Sequence, residues 1–199
     1  VVEGGDMDAN YFQHINYMEQ YNAEKGTHLV NAGEIHYEPF GIYPGKESSL
    51  EEISQGAEIA VPNDTTNEAR ALLLLQEAGL ITLDPEAGIT ATKLDIVENP
   101  HELKIVELNA EQVARTLPDV AFGVINGNYA LQAGLTSEDA VALETADSEA
   151  IQQYVNVIAV KEGNEDSEGV KALVEVLTSK EIRDYIEEKY QGSVMPYGE

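Results

Sequence analysis

Between Glu58 and Ala133 short apolar, β-branched runs alternate with stretches of helical spacing, which restricts the chain to an α/β layer on a largely parallel sheet. Glu58 to Val61 reads as a buried strand. It is followed by PNDTTNEARALLLL from Pro62 to Leu75, a helix that runs on to Gly79. Asn63, Asp64 or Thr65 can cap its first turn, and Thr65 with Glu68 has the spacing of a capping box. The alternation repeats: Leu103 to Leu108 as strand, Ala110 to Thr116 as helix, Val120 to Ile125 as strand, and Asn126 to Ala133 as a helix capped by Asn126. Beyond it, Tyr154 to Lys161 (YVNVIAVK) is a central strand, and Asp166 to Tyr190 carries two amphipathic helices broken near Thr178-Ser179.

On the amino-terminal side, Asp8 to Glu24 is expected to be one helix ended by Gly26. Tyr11, His14, Tyr17 or Met18, and Tyr21 share one face of it, and Phe12 and Ile15 an adjoining one. His28 to Tyr43 is expected to be extended with breaks at Pro39 and Gly41, Ser49 to Ser54 a short helix, and Gly134 to Ala150 an acidic surface loop. Val1 to Glu3 resembles a strand tail before a turn, with a segment expected to be missing near Glu3 and Gly4. With no linker between units, two lobes fit better than beads on a string: residues 1–40 with 157–199, and residues 41–156. The lobes would share crossing strands near Tyr37 to Tyr43 and Asn156 to Val160.

Charge excludes several partners. The chain holds 37 Asp plus Glu against 11 Lys plus Arg, a formal charge of −26, so its surface repels nucleic-acid phosphates and anionic headgroups. Cysteine is absent, which removes thiolate metal sites, disulfides and a Cys nucleophile from these 199 residues. No apolar run approaches the length of a membrane span.

Most motifs fail on inspection. GIYPGK at Gly41 to Lys46 has the wrong glycine spacing for a phosphate loop, and Glu47 stands where Ser or Thr would hold magnesium. Asp6 to Asn10 opens like a calcium loop, but Tyr11 occupies the turning glycine's place. His14, His28, His36 and His101 show no paired spacing, so neither a metal nor another cofactor is expected. What remains is Arg70 one turn into a helix, Asn126 at a strand-to-helix junction, and Asn156 in a strand of Val and Ile. Arg70 could pair with Glu68, Asp64 or another acid, or it could hold a ligand carboxylate beside the helix start. An arginine for a carboxylate, amide oxygens for an ammonium and aromatic rings for an apolar side chain would together suit a free amino acid.

These residues lie in blocks that resemble the methionine-binding lipoproteins of ABC importers, the NlpA/MetQ type. The blocks include DMDANYFQHINYME at Asp6 to Glu19, HYEPFGIYP at His36 to Pro44, AVPNDTTNEARALLLLQEAGLI at Ala60 to Ile81, VINGNYALQAGL at Val124 to Leu135 and YVNVIAVKEG at Tyr154 to Gly163. They cover nearly the whole chain. The resemblance implies a type II, two-lobed periplasmic-binding fold with the two crossing strands as hinge, which closes on L-methionine and delivers it to an ABC transporter permease. By the same resemblance Arg70 holds the α-carboxylate, Asn126 and Asn156 hold the ligand's polar backbone groups, Asn67 joins the site, and Phe12, His14 and Tyr17 wall the side chain. It also implies a monomeric, non-enzymatic, extracytoplasmic cell-envelope lipoprotein whose precursor carries a lipid anchor absent from these residues. Two alternatives remain open: a receptor for a related apolar amino acid or a methionine-containing dipeptide, and an enzyme on the same scaffold with His14 as base.

Overall fold

A computed structural model describes residues 1–144 and 149–198. Along the chain the strands are β1 (Ala9–His14), β2 (Leu29–Tyr37), β3 (Gly41–Pro44), β4 (Glu58–Pro62), β5 (Thr82–Leu83), β6 (Ile96–Glu98), β7 (Lys104–Leu108), β8 (Phe122–Ile125), β9 (Ala142–Leu143), β10 (Val155–Lys161) and β11 (Met195–Pro196). The α-helices are α1 (Ile15–Lys25), α2 (Thr65–Glu77), α3 (Ala110–Thr116), α4 (Gly127–Gln132), α5 (Glu168–Leu177) and α6 (Lys180–Tyr190).

The chain divides into two compact units, Val1–Glu38 with Ala146–Glu199, and Pro39–Thr145. The boundaries expected from sequence, after residues 40 and 156, fall elsewhere, and the second would cut through β10. Tyr37 ends β2 and Gly41 begins β3, so the first passage lies within the stretch expected to cross. Asn156 to Val160 instead lie inside the first unit. β10 is hydrogen-bonded on both sides there, and its residues from Val155 to Val160 are buried.

The first unit is built on an antiparallel sheet in the order β1-β10-β2-β11. β10 reads as nearly continuous Val, Ile and Ala because both its faces are covered. Val157 and Ala159 pack with Ile15, Met18 and Leu29 on the α1 side, while Ile158 and Val160 pack with Val170 and Val174 on the α5 side. Gly33 on β2 permits the close approach of α5: a Cβ built there would lie 2.6 Å from Val174 Cγ1.

The second unit holds a mixed sheet in the order β7-β4-β8-β3-β9. β4 runs parallel to β7 and β8, as strand–helix alternation requires, whereas β3 and β9 add antiparallel strands at one side. α2 is buried from Thr66 to Leu72 and at Leu74 and Leu75, and its Ala69, Ala71, Leu72, Leu74 and Leu75 join the largest apolar cluster. Its Ala and Leu residues all lie between Ala69 and Leu75, so its second half supplies the apolar packing while its first turn stays polar.

Three local expectations change. Asp8 to Glu24 is not one helix: Ala9–His14 is a strand paired antiparallel with β10, and α1 starts at Ile15. The aromatic and polar residues of ANYFQH tolerate an extended backbone, and the backbone groups of β10 decide the matter. Ser49 to Ser54 forms turns rather than a helix, and Val1 to Glu3 forms part of a turn. The acidic stretch from Gly134 contains a 3-10 turn at Ser137–Asp139, then β9 and, from Glu149, the start of a 3-10 helix, and its residues 145–148 lie outside the described ones.

Candidate functional site

α2 organises the polar groups of the second unit. Asp64 occupies the cap position, and its carboxylate accepts from the backbone N–H of Asn67 at 3.1 Å and from the Thr66 hydroxyl at 3.2 Å. The expected Thr65–Glu68 capping box does not form. Glu68 instead accepts the backbone N–H of Lys93 at 3.0 Å, and its burial pushes the carboxyl above the usual glutamate range. Asp64 also receives the side chain of Asn67, whose Nδ2 donates to both carboxylate oxygens at 3.1 and 2.9 Å. That bond orients the Asn67 carbonyl outward, where it accepts from Asn126 Nδ2 at 2.8 Å.

Asn126 is the cap residue of α4 by backbone geometry, yet its side chain makes no cap bond. It points to Asn67 instead. Its own Oδ1 is buried and has no hydrogen-bond partner among the described residues. A buried carbonyl oxygen without a donor costs about 1–3 kcal/mol, so the position favours an incoming N–H group.

Arg70 lies one helical turn beyond Asn67 and is 97 % buried by its 3 % exposure. Its fork is directed at Glu144. Arg70 Nε donates to Glu144 Oε1 at 2.8 Å and Nη2 to Glu144 Oε2 at 2.6 Å, a bidentate pair on nearly inaccessible side chains. The Phe40 ring lies 4.8 Å from the guanidinium carbon. Glu144 is fixed in turn by Phe40, whose backbone N–H donates to Oε2 at 2.9 Å while its carbonyl accepts the Glu144 N–H at 2.9 Å. Sequence reading missed Glu144 and Phe40. The sole signal for either was that a buried arginine needs a carboxylate, and the chain offers 37 acids.

The remaining candidates gather in the first unit. His14 ends β1 and caps α1, with Nδ1 accepting the backbone N–H of Tyr17 at 3.1 Å. The rings of His14 and Tyr17 meet edge-on at 6.2 Å, those of Phe12 and Tyr17 at 6.0 Å, and those of His14 and Tyr154 at 5.1 Å. Phe12 is 64 % exposed, a large apolar surface left in water. Asn156 stands opposite His14 in the β1–β10 register. It is buried, and its carboxamide forms no hydrogen bond with the described residues.

The seven expected residues therefore fall into two sets, Phe12, His14, Tyr17 and Asn156 on one unit and Asn67, Arg70 and Asn126 on the other. The first set offers rings and an amide, the second a guanidinium and an amide oxygen. Among the described residues no group of three or more His, Cys, Asp and Glu could hold a metal, and no helix is long and apolar enough to cross a membrane.

The D-methionine-binding lipoprotein MetQ of Salmonella typhimurium is 44% identical over 194 residues, which cover 96% of this chain and 70% of that protein. The methionine-binding lipoprotein MetQ of Bacillus subtilis is 44% identical over 201 residues, 98% of this chain and 72% of the relative. Among solved structures, a lipoprotein from Ruminococcus gnavus superposes with a TM-score of 0.97 at 62% identity, covering 100% of this chain and 82% of that one. A nutrient-binding protein from Burkholderia cenocepacia bound to methionine has a TM-score of 0.93 at 44% identity, covering 99% of this chain and 82% of that one. The family model described as NlpA lipoprotein matches residues 1–198, and the chain belongs to that family.

Proposed function

We propose that this chain is the extracytoplasmic substrate-binding protein of an ABC importer, that it captures free L-methionine without turning it over, and that it delivers the amino acid to a membrane permease. The observation that carries the reading is the polar set on α2 and α4. A buried guanidinium for a carboxylate and a buried, donor-less carbonyl oxygen for an ammonium stand on one scaffold, Arg70 one turn from Asn67 and Asn67 bonded to Asn126. In this reading Arg70 holds the α-carboxylate, Asn126 and Asn156 hold the ammonium and carboxylate edges, and Asn67 fixes the orientation of Asn126. Phe12, His14 and Tyr17 supply the ring edges against which a polarizable thioether packs, at about 0.3–1.5 kcal/mol per contact. Ligand capture then biases a lobe-closure equilibrium through contacts that are stronger in the closed state.

Isothermal calorimetry tests this directly. The unmodified chain is expected to bind L-methionine, with D-methionine and alanine as comparison ligands, and mass spectrometry after overnight incubation returns methionine unchanged. Arg70→Ala removes both the carboxylate's partner and the counter-charge of Glu144, and a loss of about 2 to 3 kcal/mol or more makes binding weaker by at least about thirtyfold. Affinity within a few fold of the unmodified chain defeats the assignment of Arg70.

A further inference from the structure

Glu144 raises a question of charge that Arg70 alone does not. The guanidinium already carries a full carboxylate before any ligand arrives, and both members are nearly inaccessible to water, with side-chain exposures of 4% and 12%. Glu144 is not a loose counter-ion. It is tied to Phe40 by two bonds, its backbone N–H donating to the Phe40 carbonyl and its carboxylate accepting the Phe40 N–H, so its position belongs to the edge of the sheet. An incoming carboxylate would meet an arginine that is held in place and electrically balanced. The neighbouring carboxylate, Asp64, is committed to the positive end of α2 as its cap.

We propose that Glu144 is the specificity-determining partner of Arg70: by balancing the guanidinium, it makes the site accept a carboxylate only when the same ligand brings its own positive charge. A zwitterion adds no net charge to the balanced pair. A carboxylic acid of the same shape without the ammonium adds one negative charge to a buried site, which charge–charge repulsion penalises strongly where water is excluded. Glu144 is thus a positioning residue that acts through Arg70. It also supplies the discrimination between amino acid and simple acid, which Arg70 by itself would reverse, since an unbalanced cation prefers an anion.

This inference rests on the proposed capture of methionine, and the test separates the two. The affinities of methionine and of 4-(methylthio)butanoate, its analogue lacking the amino group, are measured by calorimetry on the unmodified chain, on Glu144→Gln and on Glu144→Asp. Glu144→Gln is expected to lower the ratio of methionine to analogue affinity at least about tenfold, largely by improving the analogue, whereas Glu144→Asp keeps the charge and keeps the ratio. Where Glu144→Gln does not fold, Glu144→Ala is compared with acetate and with chloride as the buffer salt, and acetate is expected to restore the ratio by refilling the carboxylate's place. A ratio unchanged in Glu144→Gln, equally lowered in Glu144→Asp, or indifferent to acetate overturns the proposal while leaving methionine capture intact. An unmodified chain that binds neither ligand overturns both.

Discussion

Tyr17 illustrates how much a single side chain can be asked to do. Its ring stacks on Tyr21 at 6.4 Å and 20° and meets Phe12 and His14 edge-on, so its orientation is set by three neighbours. A ring placed this way can read a ligand's side chain but has no role in reading its carboxylate. Tyr17→Ala is therefore expected to weaken methionine about three- to tenfold while leaving glycine and alanine nearly unchanged, the loss corresponding to one thioether–ring contact. Competition calorimetry decides it, and parallel losses for all three amino acids remove Tyr17 from the side-chain wall. Residues of this kind were partly legible in the sequence. Arg70 and Asn126 stand at helix starts marked by cap residues and glycine stops, and Asn156 is conspicuous as an amide in an apolar strand. Glu144 was not legible, because it lies 74 residues from Arg70 in an acidic stretch where no periodicity separates one carboxylate from the next.

At the scale of elements the packing of α5 on β2 is the tightest constraint in the first unit. A Cβ at Gly33 would fall 2.6 and 2.8 Å from the two methyl carbons of Val174, well inside contact distance. Gly33→Ala is expected to destabilise the fold by about 1–3 kcal/mol through overpacking. Val174→Ala in the same chain removes those methyls, so the double variant recovers most of that loss. Urea unfolding of the two single variants and the pair measures the coupling, and strictly additive effects contradict a direct clash. Glycine at 33 was invisible as a constraint before α5 was in place, since its reason is a neighbour more than a hundred residues away. The same holds for β1. The rings of Tyr11, His14, Tyr17 and Tyr21 satisfy a helical period, yet Ala9–His14 is a strand because its partner is β10. The second unit was more readable. There β4, α2, β7, α3, β8 and α4 follow one another locally, and each strand–helix step carries its own caps and apolar run.

At the scale of the whole molecule the dominant physical fact is charge. With 37 acids against 11 bases, the chain carries −26, and among the described residues lysines pair at the surface, as Lys93 does with Glu107, Lys171 with Asp166 and Lys180 with Asp184. Such exposed pairs contribute about 0–1 kcal/mol each, so screening them loses little. The repulsion among the surplus carboxylates is spread over the folded surface and relaxes when the chain unfolds and the charges move apart. Raising sodium chloride from about 10 mM to about 150 mM shortens the screening length from about 30 Å to about 8 Å, below the separation of most surface charges. The balance predicts a melting temperature that rises steeply over this range and then levels, as repulsion is screened while the buried Arg70–Glu144 pair is left intact. Scanning calorimetry at constant pH, with a sucrose series of matched osmolality to account for solute exclusion, measures it. A melting temperature that falls with salt would mean that attractive ion pairs outweigh the net repulsion, and one that rises equally in sucrose would assign the gain to exclusion rather than to charge.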